Sequence, residues 1–394
     1  MMNIAQKHAR GMRATLLAAL VVGLWSSWVG VAAAQSKPQS KPRIKLVTLG
    51  GTIAHLKKPD GSNARIQISQ VMSDIRSRYP QPDVRAVLDS VEFSEVEVTR
   101  VGSGSLNVQE FLKACAEAQK AVDEGYDGVI VTHGTTTSED TVYFLNLLVG
   151  GDIPIVLTNS QIQHMAVGND GDLNLLSAIM VASAKSSRGK TVLVENQKIL
   201  PAREVVKGSD LPGGFSAGAL GPLGWVTRPN DGYTAGAADH FVTYYRQPTK
   251  KARANSEFNI SQFVTPEGTF RSLPRVEVIA GHYDAQPDVV DAILKLGVQG
   301  FVVTGLPPGG SAFGPQSDRL QALAMEGMPI VHTSRNSAQY QNRVNPSSSI
   351  RMEGDNLPWQ KLRILMQLAM QKTADKKLTG TERLKELQRL IDSH

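Results

Sequence analysis

The chain has 394 residues, of which 41% are hydrophobic and 20% are charged. This composition excludes wholesale disorder, and at about 150 residues per domain the length suggests two domains. A single cysteine, Cys115, excludes an intrachain disulfide framework and a cysteine-rich zinc site. The net charge of +6 falls to +3 without residues 1–34, which carry three basic side chains and no acid. So small a charge gives no indication of a nucleic-acid partner.

The first 34 residues have the pattern of a secretory signal peptide. Lys7, Arg10 and Arg13 precede an apolar stretch that ends at Ala34 in an A-x-A cleavage pattern. The alternative is an uncleaved anchor, since the stretch approaches the ~20 residues that span a bilayer. The small residues at its end favour cleavage. We therefore predict a mature protein that is periplasmic or secreted and has no membrane attachment.

Residues 35–42 are polar, contain two prolines and predict a flexible lead-in. After them, apolar runs and helical spacings alternate. The predicted elements are a strand at 44–49, a helix at 108–122, a strand at 128–132, a helix at 138–148, a strand at 153–157, a helix at 173–184 and a strand at 191–194. This alternation predicts an α/β fold, with a larger N-terminal domain of mainly parallel sheet over residues 43–231.

The pattern weakens over residues 232–272, which are predicted to be a linker between two domains. Alternation then resumes. The predicted elements are a strand at 276–280, a helix at 287–296, a strand at 300–304, a helix at 316–326, a strand at 329–332 and helices at 359–371 and from 380 onward. Residues 273–394 are therefore predicted to form a smaller C-terminal α/β domain.

Two clusters of glycine and threonine directly follow two predicted strands. They are Gly50–Ala54, with the sequence GGTIA, and Thr132–Thr137, with the sequence THGTTT. Either cluster alone is compatible with a strand–turn–helix corner in which threonine caps the helix. Two of them at the carboxyl ends of strands in one sheet favour a shared ligand site, where glycine N–H groups and threonine hydroxyls are available.

With these clusters, the chain resembles the bacterial type II L-asparaginases of the asparaginase/glutaminase family. Thr48–Ala54 resembles the family motif T-G-G-T-I-A, and Ile130–Thr137 resembles V-V-T-H-G-T-D-T. Three further stretches match in order: Asp170–Leu175 resembles D-G-x-x-N-L, Ala202–Lys207 resembles A-R-D-V-x-K and Gly221–Gly224 resembles G-P-L-G. The resemblance extends over about residues 43–371.

The resemblance implies hydrolysis of a small amide, L-asparagine to L-aspartate and ammonia, without a metal or an organic cofactor. It also implies a homotetramer, built as a dimer of dimers, in which a neighbouring C-terminal domain completes each site. Spacings typical of histidine metal ligands are missing from the sequence as well.

The resemblance further implies a catalytic set of Thr52, Thr135 and Lys207. Thr52 matches the family's nucleophile, which attacks the amide and forms an acyl-enzyme. Thr135 matches the second threonine, and Lys207 matches the lysine that activates it. A threonine hydroxyl is a weak nucleophile that needs a base, and burial of a lysine favours the neutral amine that can act as one. Taken alone, Lys207 would be expected at the surface.

Four residues are implied to bind the substrate. Ser103 matches the serine that holds the substrate's α-carboxylate. Gly51 and Gly134 lie where backbone N–H groups could face that carboxylate or the oxyanion. Thr136 stands where the family has an aspartate that orients the lysine and binds the substrate's α-ammonium. A threonine carries no charge, so this position departs from the family pattern.

Three other departures concern loops. The loop 55–71 has no tyrosine, and Ala64 or Arg65 aligns with the family's catalytic tyrosine. Turn 305–311 has no asparagine, and residues 336–349 contain no acid, although the family's neighbouring subunit supplies an asparagine and a glutamate there. Loss of two charged contacts to an ammonium would weaken asparagine binding by roughly 3–6 kcal/mol. Glu139 and Asp140 lie near in sequence, but the helix after Thr137 is expected to point them away.

Three functions therefore stay open. The first is an amidohydrolase that acts on L-asparagine. The second is an amidase whose substrate lacks a free α-ammonium, since the proposed nucleophile and lysine are retained while the acids that bind an ammonium are not. The third is a family member that binds a small ligand without turnover.

Overall fold

The computed structural model describes residues 40–228, 233–234, 236–307, 310, 312–335 and 351–394. The predicted signal peptide and most of the lead-in lie outside these residues. Within them, no helix has the length and apolar character needed to cross a membrane.

The strands of the described residues are β1 Arg43–Thr48, β2 His55–Lys57, β3 Asn63–Arg65, β4 Glu92–Glu97, β5 Gly128–Thr132, β6 Ile155–Thr158, β7 Thr191–Glu195, β8 Lys198–Pro201, β9 Val206–Lys207, β10 Phe215–Ser216, β11 Gly224–Val226, β12 Val242–Tyr244, β13 Val276–Ala280, β14 Gly300–Gly305, β15 Ile330–Ser334 and β16 Met352–Glu353.

The α-helices of the same residues are α1 Ile68–Arg78, α2 Pro82–Asp89, α3 Val108–Asp123, α4 Ser138–Leu148, α5 Gly171–Ser183, α6 Ala238–Phe241, α7 Asp288–Leu294, α8 Gly314–Met325, α9 Trp359–Asp375 and α10 Gly380–Ser393. Local chemistry explains where some of them begin. At α3, the Asn107 side chain accepts from Gln109 N while Asn107 N donates to Glu110, a reciprocal capping box.

An eight-stranded sheet organises the N-terminal domain, with the strand order β12-β11-β8-β7-β6-β5-β1-β4. Strands β4, β1, β5, β6 and β7 are parallel, and β8, β11 and β12 continue the sheet in antiparallel pairing. The predicted mainly parallel α/β sheet is therefore confirmed. The strand order reverses beside β1, since β4 lies on one side and β5 on the other. Ligands of open parallel sheets bind at such a reversal, beyond the carboxyl ends of the strands.

Helices cover both faces of this sheet. Val47 and Val131 belong to one apolar core, and Leu46 and Ile130 belong to another, because successive strand residues point to opposite faces. Helices α3 and α4 supply side chains to the first core, and α1 and α5 supply the second. Cys115 on α3 is fully buried, as predicted, and burial raises the pKa of its thiol.

A smaller parallel sheet, β13-β14-β15-β16, forms the C-terminal domain. Val302 and Val331 on one face of it share a core with α9 and with α4 of the larger domain. The opposite face packs with α7 and α8 around Phe301 and Val303. Helix α9 therefore links the two sheets through one continuous apolar core.

Candidate active site

The turns after β1 and β5 lie against each other where the strand order reverses. Leu49 N donates to Thr132 O at 2.9 Å. Gly51 has a φ of +88°, and a Cβ on it would lie 2.3 Å from Gly134 N. No side chain fits in that space, so contact between the two turns requires glycine at position 51. The structure thus brings the two glycine–threonine clusters together.

Thr52 begins a short 3-10 helix, Thr52–Ala54, directly after Gly51. Ile53 and Ala54 are buried in the core, and Thr52 is only partly buried. The two apolar residues anchor the turn, and the hydroxyl-bearing residue is the accessible one of the three.

Thr135 and Lys207 are in direct contact. Lys207 Nζ donates to Thr135 Oγ1 at 3.0 Å, although 72 residues separate the two in the chain. Thr135 is 8% exposed, and the Lys207 side chain is 19% exposed. Lys207 lies on β9, which pairs with β10 in a two-stranded sheet beside the large one. Tertiary folding therefore removes this lysine from the surface position that is usual for its type.

Glu139 holds the main chain of Lys207. Contrary to the expectation that α4 would point it away, Glu139 Oε2 accepts from Lys207 N at 2.9 Å. Its other oxygen accepts from Gln360 Nε2 on α9, at 3.4 Å. Burial raises the pKa of the Glu139 carboxyl, while nearby Lys361 and the bond from Lys207 N act in the opposite direction. The carboxylate therefore joins the strand that carries Lys207 to α4 and α9.

A second lysine supports the turn in front of Lys207. Lys361 on α9 is fully buried, and its Nζ donates to Ala202 O at 2.8 Å and also to Val205 O. Burial lowers the pKa of Lys361 to about 8, against the attraction of Glu139. These bonds fix the turn that leads into β9. No motif indicated this contact, because more than 150 residues separate its partners.

The side-chain nitrogen of Lys207 also contacts an exposed carboxylate. Asp210 Oδ1 lies 2.7 Å from Lys207 Nζ, and the Asp210 side chain is 93% exposed. The hydrogen bond from Lys207 holds the pKa of Asp210 below its ordinary value. Lys207 Nζ therefore bridges a buried hydroxyl and a carboxylate in solvent.

Ser103 contacts the second glycine–threonine turn at the residues around Gly134. Its Oγ accepts from Thr136 N at 3.1 Å, and its carbonyl accepts from Thr137 Oγ1 at 2.9 Å. A Cβ on Gly134 would lie 2.6 Å from Ser103 Oγ, so glycine is required there too. Ser103 is buried, whereas Thr136 is exposed at the mouth of the site.

His133 is buried within the second turn. Its Nδ1 lies 2.7 Å from Gly134 O, and its Nε2 lies 2.8 Å from Thr141 Oγ1 on α4. Burial lowers the pKa of the imidazole to about 4, so the ring is neutral at pH 7. With both nitrogens engaged, His133 connects the turn to α4.

Comparisons with known proteins identify the family of the chain. A family model described as "Asparaginase, N-terminal" matches residues 43–235, and one described as "Glutaminase/Asparaginase C-terminal domain" matches residues 275–379. The chain belongs to the asparaginase/glutaminase family.

Relatives in this family match over nearly their whole length. "Probable L-asparaginase periplasmic" of Haemophilus influenzae is 31% identical over 345 residues, 86% of this chain and 91% of the relative. "Glutaminase-asparaginase" of Acinetobacter glutaminasificans is 31% identical over 343 residues, 86% of this chain and 97% of the relative. The crystal structure titled probable cytoplasmic L-asparaginase from Campylobacter jejuni matches with a TM-score of 0.74 and 27% identity, covering 90% of this chain and all of that one.

Arg65 is a loop residue that contacts the segment just before Ser103. It ends the hairpin of β2 and β3, which follows Thr52–Ala54 directly. Its guanidinium Nη1 donates to Arg100 O, and Nη2 lies 3.8 Å from the position of a Cβ on Gly102. The side chain is exposed. The loop that lacks a tyrosine therefore carries a cation, at one of the two positions aligned with that tyrosine, against the segment that contains Ser103.

Two of the predicted departures lie largely outside the described residues. Residues 308–309 and 311 of the turn 305–311 are outside them, as are residues 336–350. Among the residues that the structure describes, no group of three or more histidine, cysteine, aspartate or glutamate side chains could hold a metal ion.

Proposed function

We propose that this asparaginase-type amidohydrolase hydrolyses L-asparagine to L-aspartate and ammonia through an acyl-enzyme on Thr52. The enzyme class follows from family membership. The observation that carries the proposal is the 3.0 Å hydrogen bond between Lys207 Nζ and Thr135 Oγ1, at the sheet edge where the accessible Thr52 also lies. A hydroxyl, an amine and a second hydroxyl at one place satisfy the need of a weak nucleophile for a base.

In the proposed first step, Thr52 Oγ bonds to the carbon of the side-chain amide. The hydroxyl proton passes to the Lys207–Thr135 pair and then to the leaving nitrogen, and the C–N bond breaks to release ammonia. Water adds to the resulting ester in the second step, the C–O bond to Thr52 breaks, and the acid leaves while Thr52 regains its proton. Backbone N–H groups at Gly51 and Gly134 are proposed to stabilise the oxyanion.

Ser103 and Thr136 are proposed to position the substrate. Ser103 Oγ accepts from Thr136 N, and among the described residues no acceptor is assigned to its hydroxyl hydrogen. That hydrogen is available to donate to a substrate carboxylate, and a bond to a charged group is stronger than one to a neutral group.

The first test is ammonia release from L-asparagine by residues 35–394. Thr52→Ala serves as the blank, and Thr269→Ala is the matched control because Thr269 is exposed in a turn distant in sequence. The proposal expects release that Thr269→Ala keeps and Thr52→Ala loses. Equal release by the two variants would contradict the assignment of the nucleophile.

We also propose export with cleavage after Ala34 and assembly into a homotetramer. Support for export comes from the N-terminal sequence pattern and from the relative named periplasmic. N-terminal sequencing of exported protein should begin at Gln35, and light scattering should give a mass of four chains. An intact N-terminus or a stable monomer would contradict these two statements.

A second candidate function is favoured by the charges at the site. Thr136 is neutral, and the buried Glu139 carboxylate is bonded to Lys207 N. An amidase whose substrate lacks an α-ammonium fits this arrangement. A member that binds without turnover would show thermal stabilisation by ligand with no product from any amide.

A further inference from the structure

We propose that Arg65 is a specificity-determining residue that holds a substrate carboxylate together with Ser103, and that the preferred substrate is a monoamide of a dicarboxylic acid without an α-ammonium, such as succinamate. This inference rests on the proposed function of the same site. It assigns a role to a loop residue and a charge to the substrate.

The position of Arg65 supports its proposed role in binding a substrate carboxylate. The Arg100–Gly104 segment carries Ser103, and the Arg65 guanidinium contacts that segment through Arg100 O. Its Nη2 lies 3.8 Å from the position of a Cβ on Gly102, and Thr136 Cγ2 lies 3.7 Å from the position of a Cβ on Gly104. The guanidinium and Thr136 therefore lie close to the two residues that flank Ser103.

The hydrogen-bond donors of the guanidinium also support the binding of a carboxylate by Arg65. One bond of Arg65 goes to a main-chain carbonyl, which leaves other N–H donors of the fork for a carboxylate. Its neighbour Arg100 is already paired with Glu97. Within the described ranges, no carboxylate lies within 4.0 Å of the Arg65 guanidinium. Of these two arginines, Arg65 is therefore the one whose guanidinium has no carboxylate partner among the described residues.

The charged side chains near Ser103 also argue against an ammonium in the substrate. An ammonium next to Ser103 would lie close to the cation Arg65. In the described part of the site, Asp210 pairs with Lys207. Glu139 is buried, and its carboxylate accepts a hydrogen bond from Lys207 N. The sequence of residues 336–350 contains no aspartate or glutamate. A substrate that carries only a carboxylate avoids this repulsion.

The test compares kcat/KM for succinamate, L-asparagine and propionamide. Wild type is expected to favour succinamate over asparagine. Arg65→Gln should lower kcat/KM for succinamate by about tenfold or more, mainly through KM, because a charge-assisted hydrogen bond is lost. Arg65→Lys should recover part of that loss. Propionamide, which has no carboxylate, should be hydrolysed equally by wild type and Arg65→Gln.

Lys58→Gln, on the same hairpin and exposed, is the matched control for removal of a positive charge. A clear preference of wild type for asparagine, or an unchanged KM for succinamate in Arg65→Gln, would overturn the inference. Thr136→Asp should shift the preference toward asparagine.

Binding of succinate to Thr52→Ala, measured by calorimetry with and without Arg65→Gln, separates this inference from the proposed function. Loss of binding with Arg65→Gln supports the carboxylate role even if no amide is turned over. Equal binding contradicts that role. Absence of ammonia release that depends on Thr52, from all three amides, contradicts the proposed function alone.

Discussion

In each parallel sheet a glycine packs closely against neighbouring backbone near the carboxyl ends of the strands, but the threonine hydroxyls near the two glycines have different surroundings. In the larger domain, Gly51 lies against Gly134, and in the smaller domain a Cβ on Gly310 would lie 2.3 Å from Thr333 O. Both contacts depend on a glycine with positive φ. Thr333 is fully buried and donates its hydroxyl to Leu357 O, whereas Thr52 is accessible.

This difference shows that a close backbone contact at a glycine does not by itself make a reactive site. A parallel sheet with tight glycine turns provides a place where backbones approach each other closely. In the larger domain that place also holds an accessible hydroxyl, and Thr135 there has an amine partner in Lys207. In the smaller domain, the hydroxyl of Thr333 instead donates a hydrogen bond to the main-chain carbonyl of Leu357. The predictions below test whether the amine contact is what distinguishes the two regions.

The largest effect is expected from Lys207→Met. The substitution removes the proposed base, and general-base catalysis contributes about 10²–10⁴-fold to rates, so kcat should fall by that factor. Lys190→Met is the control, because Lys190 is partly buried and donates to Ser186 O away from the site. Steady-state ammonia release measures both. A Lys207→Met enzyme with normal kcat would remove the proposed distinction between the regions.

Lys361→Met should affect activity and stability together. Lys361 is the buried cation that holds Ala202 O and Val205 O and balances Glu139. Loss of one partner from a buried charged network typically costs about 3–5 kcal/mol, and β9 would lose its support. Urea unfolding should show the destabilisation, and kcat should fall in the protein that remains folded. Unchanged stability would mean that α9 does not hold this turn.

A matched pair of valine substitutions compares the two regions directly. Thr135→Val removes the hydroxyl that Lys207 contacts, so kcat should fall strongly. Thr333→Val leaves Leu357 O without its donor and should reduce the free energy of unfolding by about 1–3 kcal/mol, with kcat nearly unchanged. Kinetics and urea unfolding of both variants decide the comparison. Equal kinetic losses would contradict it.

Acid sensitivity should be shared by both regions. Burial lowers the pKa of His133 to about 4 and that of His332 in the smaller sheet to about 3. Between these values and 6.5 the unfolded chain binds more protons, so stability falls as pH falls below 6.5. For His133 the full loss is on the order of 3 kcal/mol.

The measurement for His133 is urea unfolding at pH 7.5 and pH 5.0 of wild type and His133→Gln. The difference between the two pH values should be smaller in the variant, since its side chain does not titrate. Buried carboxyls with raised pKa, such as Asp140 at about 7, act with the opposite sign in both proteins and cancel in this comparison. An identical pH dependence would contradict the assignment.

Much of the fold could be predicted from the sequence because the buried central strands β5, β6 and β7 consist mainly of apolar residues. The predicted strand at 128–132 and helix at 138–148 coincide with β5 and α4. The sequence pattern predicted no strands or helices in the region 55–107, although the structure has β2–β4 and two α-helices there. Strand β4 explains why: Glu92–Glu97 has three glutamates and only half-buried interior residues, so it lacks the apolar pattern of a buried strand.

The sequence by itself determined the class of fold, the family and the two turns that carry Thr52 and Thr135. These features depend on local patterns of apolar residues and glycine, which are readable over a few residues. The tertiary structure decided that Glu139 holds Lys207, that Lys361 supports the turn before it, and that Arg65 contacts the segment that carries Ser103. Those contacts join residues tens to more than a hundred positions apart, and their energies depend on burial and direction, which arise only when the helices and sheets pack together.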